Sequence, residues 1–154
     1  MKYISFLINI ILLASTFMLI ASNSAKDVII KNNQDKYGIN IASELAIAAQ
    51  SSIISQSYDE FIPLTRVLTK NDSSIIEVSI FNLDGKYLAN ATQTKSYKLG
   101  QTADSELISI LNRIEDATKI ESSDKKYTDY IAPIKIGTSK FGSVLIRFES
   151  ISPK

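Results

Sequence analysis

Two of the residue types that most often do chemistry in proteins are missing from this chain. It has no histidine and no cysteine. That removes the commonest general base, the commonest metal ligand, any thiol nucleophile and any disulfide. A nucleophilic serine would need a lysine or a carboxylate as its base. No Gly-x-Ser-x-Gly occurs, and Ser122-Ser123-Asp124-Lys125 reads as a polar turn. Glu115 and Asp116 are adjacent on a helix, so their side chains diverge and a solvated face is expected rather than a glycosidase pair. Five glycines, none in a phosphate-cradling pattern, exclude a nucleotide loop. Asp84-Gly85 lacks the further oxygen ligands that calcium needs. No enzyme, metal or cofactor is therefore expected. The charge balance, 17 basic against 16 acidic side chains, leaves +1. That offers no field for nucleic acid, and no nucleic-acid partner is expected.

One charged residue is unusual by position. Arg147 interrupts the apolar run Val144-Leu145-Ile146-Arg147-Phe148. A guanidinium there must reach water, a carboxylate or a ligand, because an unpaired buried charge is too costly to keep.

The elements that position it follow from periodicity. With 154 residues, 45% apolar and 21% charged, the chain suits one folded domain. An uncharged run from Tyr3 to Ala21 spans about 28 Å as a helix, close to a bilayer core. Two readings stand: a membrane anchor, or a signal peptide cut near Ser22-Asn23-Ser24. The length of the run and the weak cleavage pattern favour the anchor. The two-residue tail before it argues for an inside N-terminus. Residues 1–25 are thus set apart as signal anchor or signal peptide, and 26–154 as one domain.

That domain begins with a helix from Lys26 to about Gln56 carrying two apolar stripes. Tyr37, Ile41, Leu45 and Ala48 form one. Ile39, Ala42, Ala46, Ala49 and Ile53 form the other, whose small residues suit a partner helix. Gly38 weakens the helix by about 1 kcal/mol. A shorter helix is predicted over Asp59–Leu68, with Pro63 in its first turn. Ile75–Asn82 alternates as a strand, with Ile76, Val78 and Ile80 on one face and Glu77, Ser79 and Phe81 on the other. Asp84-Gly85 then turns the chain into a second strand, Lys86–Ala91. Asp104 can cap a third helix with Leu107, Ile108, Leu111 and Ile114 inward. The pattern also admits a further short strand near Lys119–Glu121. A closing hairpin runs Tyr127–Ile136, a turn over 137–142, and Ser143–Phe148. The expected fold is α+β: an antiparallel sheet of four or five strands, with helices to one side and the long N-terminal helix on one face.

With these elements in place, the chain resembles a Cache-type sensor domain, the extracytoplasmic relative of the PAS fold in bacterial chemoreceptors, sensor kinases and membrane cyclases. The resemblance covers about residues 26–150. It rests on Ile76–Asn90 around Asp84-Gly85, on Tyr130-Ile131-Ala132-Pro133-Ile134, and on Gly142-Ser143-Val144-Leu145-Ile146. An Arg-x-Trp-Tyr run is missing and there is no Trp or His, so the resemblance implies a fold and a role but no ligand identity. It implies a PAS/Cache-like sheet with the first and last strands side by side. It also implies a ligand-binding face roofed by Thr92–Gln101. Glu77, Ser79 and Arg147 would line that face, with Lys95 and Tyr97 on the roof. Arg147 would grip the carboxylate of a small anionic ligand. Alternatively it makes a cross-strand pair with Glu77 on a wet face, worth little.

The functional expectation is a membrane-anchored or exported extracytoplasmic ligand-sensing module of bacterial signal transduction. Its partners would be a small-molecule ligand, the membrane through residues 3–21, and a second copy through the long helix. The localisation would be single-pass at the cell membrane, or secreted or periplasmic after cleavage. A pilin-like assembly protein is the alternative architecture, although no Gly precedes the apolar run and no Glu stands at its fifth position. A sensor fragment of a larger receptor, kinase or cyclase is the other.

Overall fold

The computed structural model describes residues 2–55, 57–94, 98–122 and 126–150, with side chains from Val28 onward. The elements are α1 (Lys2–Ser55), α2 (Phe61–Asn71), β1 (Ile75–Asn82), β2 (Tyr87–Thr92), α3 (Ser105–Arg113), β3 (Thr118–Glu121), β4 (Tyr127–Ile136) and β5 (Ser139–Glu149). Asp35–Ser152 form one compact unit, and the preceding part of α1 falls in another. Among the described residues no helix is long and apolar enough to cross a membrane. The side chains of the run Tyr3–Ala21 lie outside them.

The five strands form one antiparallel sheet in the order β2-β1-β5-β4-β3. The first strand therefore pairs with the last, and the α+β expectation holds. One face packs on α1 and α2. Its core includes Val78 and Ile80 of β1, Tyr130 and Ile134 of β4, and Val144, Ile146 and Phe148 of β5. Burying each such side chain stabilises by about 1.5–3 kcal/mol.

Three features of this face depart from the periodicity reading. A register shift between Ile75 and Glu77 puts Ile75, not Ile76, in the core opposite Phe148. The small-residue face of α1, Ala42, Ala46 and Ala49, packs on the sheet and is fully buried. It is therefore not the surface for a partner helix, because small side chains are what let the helix backbone settle close to the strands. Gly38 belongs to the same seat: a Cβ there would run into the Tyr130 ring. The second helix also starts and ends later than expected, with Pro63 still in its first turn. Asp72 closes that helix, its carboxylate accepting from Ser74 N at 2.9 Å.

The opposite face carries α3, so the helices divide between both sides of the sheet. Asp104 caps α3 as expected, accepting from Leu107 N at 2.8 Å. Leu111 and Ile114 bury against Phe81, Ile131 and Leu145. Lys140 donates to the Leu111 and Ile114 carbonyls and so holds the C-terminal end of α3.

Both hairpins differ from the expected turns. The first loop takes three residues, 83–85, with Gly85 at φ +72° and Asn82 N bonded to Lys86 O at 3.1 Å. The second turn is tighter than the expected 137–142. Ile136 pairs Ser139 directly, with Gly137 at φ +62°, so β5 starts four residues early. Gly142 lets β1 and β5 approach, since a Cβ there would meet the Phe81 carbonyl oxygen.

Candidate functional site

The α3-bearing face divides into an apolar half under α3 and a polar half. Register builds the polar half. Glu77 on β1 pairs Arg147 on β5, and Arg147 pairs Asp129 on β4, making one row across three strands. In the next row Asn90 on β2 pairs Ser79 on β1.

Arg147 is engaged on both sides. Its Nε and Nη2 donate to the two Asp129 oxygens at 2.7 and 2.8 Å, a bidentate fork. Its Nη1 stands 3.7 Å from Glu77 Oε2. Its guanidinium carbon lies 5.6 Å from the Tyr127 ring centroid. The Asp129 fork holds Arg147 charged well above the usual guanidinium range, outweighing a burial effect that acts downward.

Glu77 is the hub of the row. It is 6% exposed. Its Oε1 accepts from Ser79 Oγ at 2.8 Å and from Asn90 Nδ2 at 3.1 Å, with Lys98 Nζ at 3.5 Å. Asn90 Nδ2 also donates to Ser79 Oγ at 2.7 Å. Lys98 reaches the site from the segment after β2. Its backbone N donates to Asn90 Oδ1 at 3.1 Å. Its ammonium stands 3.4 Å from the Tyr87 hydroxyl and over that ring. Burial, then the Glu77 charge, pushes the Tyr87 phenol up. The segment itself is stitched to β2 by Gly100 N to Tyr87 O and Tyr87 N to Gln101 O, both 2.9 Å.

The cluster is charge-balanced, with Glu77 and Asp129 against Arg147 and Lys98. Among the described residues no buried side-chain N or O lacks a partner, and no group of acidic side chains is placed to hold a metal ion. Ser79 is fully buried, and its hydroxyl is spent on Glu77 and Asn90. The arrangement is a closed set of ion pairs and hydrogen bonds that links β2, β1, β5 and β4.

The structure brings Glu77, Ser79 and Arg147 together as expected. Lys95 and Tyr97 lie outside the described residues. The Glu77–Arg147 pair exists, but its setting is mostly buried rather than wet, and the stronger partner is Asp129. A ligand carboxylate gripped by Arg147 would have to displace that fork. Asn90, Lys98, Tyr87, Tyr127 and Asp129 escaped the sequence reading. Asn90 was within reach, as the polar residue of Leu88-Ala89-Asn90-Ala91 facing Ser79 across the hairpin.

No protein-family model and no curated protein matches the chain. Solved structures do. The extracellular domain of mmHK1S-Z2, assigned as a histidine kinase, superposes with a TM-score of 0.55 at 11% identity, over 74% of this chain and 53% of that one. The sensor domain of the V. cholerae histidine kinase DctB superposes with a TM-score of 0.55 at 11% identity, over 82% of this chain and 52% of that one. The chain spans about half the length of these domains. At such identity the likeness lies in the fold alone.

Proposed function

We propose that this chain is a ligand-sensing or ligand-binding module of bacterial signal transduction, working outside the cytoplasm behind its N-terminal segment as anchor or after export. The observation that carries the reading is the row Glu77–Arg147–Asp129, a partly buried charged network where apolar residues would often be as stable or more so. The kinase sensor domains of the same fold support it. No nucleophile–base pair with access to a substrate is evident in the network, so the reading is binding and not catalysis. The ligand is a small polar molecule that exchanges with the Asp129 fork or the Glu77 contacts.

A thermal-shift screen of amino acids and small carboxylates tests this on the full chain in detergent, with Arg147→Ala and Asp129→Ala alongside. The expected result is at least one compound that raises the wild-type midpoint by several degrees and fails on Arg147→Ala. A hit that stabilises all three proteins equally removes this face as the site. Silence across the panel counts against the sensing role for these ligand classes.

A further inference from the structure

The polar row and the seat of α1 are made by adjacent residues on two central strands. On β4, Asp129 faces the row and Tyr130 faces α1. On β5, Arg147 faces the row and Phe148 faces α1. Neighbouring Cα atoms are about 3.8 Å apart and alternate faces, so a shift at one position is felt at the next.

Tyr130 has little room to absorb such a shift. It is fully buried. Its ring meets Phe148 edge-on at 5.2 Å and fills the space that Gly38 leaves open. Phe148 in turn meets Tyr37 of α1 at 6.1 Å. The Tyr130 hydroxyl donates to Asp35 Oδ1 at 2.6 Å. Lys119 of β3 donates to the other Asp35 oxygen at 2.9 Å and stands 3.1 Å from Glu121. Asp35 is the first residue of the compact unit, so these bonds hold α1 where it enters the domain.

We propose that Asp35, Lys119 and Tyr130 form a conformational latch, which couples the Asp129–Arg147 pair on one face of the sheet to the seating of α1 on the other. Closely packed interiors shift between discrete arrangements rather than deforming smoothly. Displacing Asp129 from Arg147 moves β4, and Tyr130 carries that movement to Asp35. The purpose of the latch rests on the sensor reading; the coupling is a property of the fold and is testable without any ligand.

The test is amide hydrogen exchange on the full chain in detergent micelles, comparing wild type, Asp129→Asn, Tyr130→Phe and the double variant. Asp129→Asn should speed exchange of the α1 amides over residues 39–45 by about fivefold or more, beyond any change in the β1–β2 hairpin. In the Tyr130→Phe background the same substitution should change those amides by less than about twofold. If Asp129→Asn does not fold, Arg147→Lys, which loses the fork but keeps the charge, is compared in the same way. Three results overturn the latch: unchanged α1 exchange, a rise equal across the whole domain, or an undiminished increment without the tyrosine hydroxyl. None of them bears on whether a compound binds in the thermal-shift screen, and a silent screen leaves the exchange result standing.

Discussion

A guanidinium forked onto one carboxylate and facing a second adds a side-chain tie to the backbone ladders that join β1, β5 and β4. Removing it leaves Asp129 and Glu77 as like charges in a partly buried setting. Arg147→Ala should therefore cost about 2–4 kcal/mol in urea unfolding, well above the value of an exposed pair. Combining it with Asp129→Ala should recover at least about 1 kcal/mol relative to the sum of the singles. Strict additivity would mean that the fork contributes nothing. Tyr130 makes a separate prediction. Burial, and then its bond to the Asp35 carboxylate, raises its phenol far above the usual range. A group that keeps its proton in the folded state stabilises below the ordinary phenol value of about 10, and that stabilisation fades as pH rises past it. Midpoints of denaturant unfolding should fall steeply above about pH 10. Tyr130→Phe should flatten that fall, leaving the contributions of Tyr37 and Tyr87, whose phenols are also raised. A slope unchanged in Tyr130→Phe would refute it.

Among the elements, two glycines are spatial requirements. Gly38→Ala should gain about 1 kcal/mol of helix propensity yet lose more than that against the Tyr130 ring, for a net destabilisation of about 2 kcal/mol in thermal or urea unfolding. A stabilised Gly38→Ala would mean that α1 is not seated there. Gly142→Ala meets backbone, which cannot rotate away, and should abolish the β1–β5 pairing. The elements themselves were legible because each has its own period and its own stops, as with Asp104 before α3 and Gly137 after β4. Register was less so. Counting outward from a two-residue Asp84-Gly85 turn pairs Ser79 with Asn90 correctly, but for the wrong reason. The extra loop residue is cancelled by a bulge between β1 and β2 near Leu88. In the second hairpin nothing cancels. Ile136–Ser139 and Lys135–Lys140 pair directly, and then a shift after Ile134 advances the ladder by one. Without that shift Asp129 would stand opposite Ile146, which is why the Arg147 partner stayed hidden while Glu77 did not.

At the scale of the compact unit, apolar surface is left on the side of the sheet covered by α1 and α2. Ile47 and Ile54 of α1 and Val67 of α2 are at least half exposed. Nearby, α1 and α2 border a groove of about 250 Å³ with Ile41, Leu45, Leu64 and Leu68 in its walls. This surface, rather than the small-residue face, is where self-association through α1 is expected. Sedimentation of residues 26–154 at high micromolar concentration should show a dimer, and Ile47→Glu should dissociate it. A monomer at every concentration would end that expectation. Retention of the anchor predicts a mature chain that resists salt extraction from membranes and begins at Met1; a mature N-terminus near Lys26 by mass spectrometry would mean cleavage. The strand order has a consequence for biosynthesis. Its central pair joins β1 to β5, the last strand to be made. Until Ser139–Glu149 has left the ribosome, β1 has a bare edge, Arg147 does not exist, and neither side of the sheet can close. Such long-range closure is slow and comes late. The nascent sheet therefore stays open until β5 is available to pair. A chain arrested before β5 would carry an unpaired, aggregation-prone edge for quality control to remove.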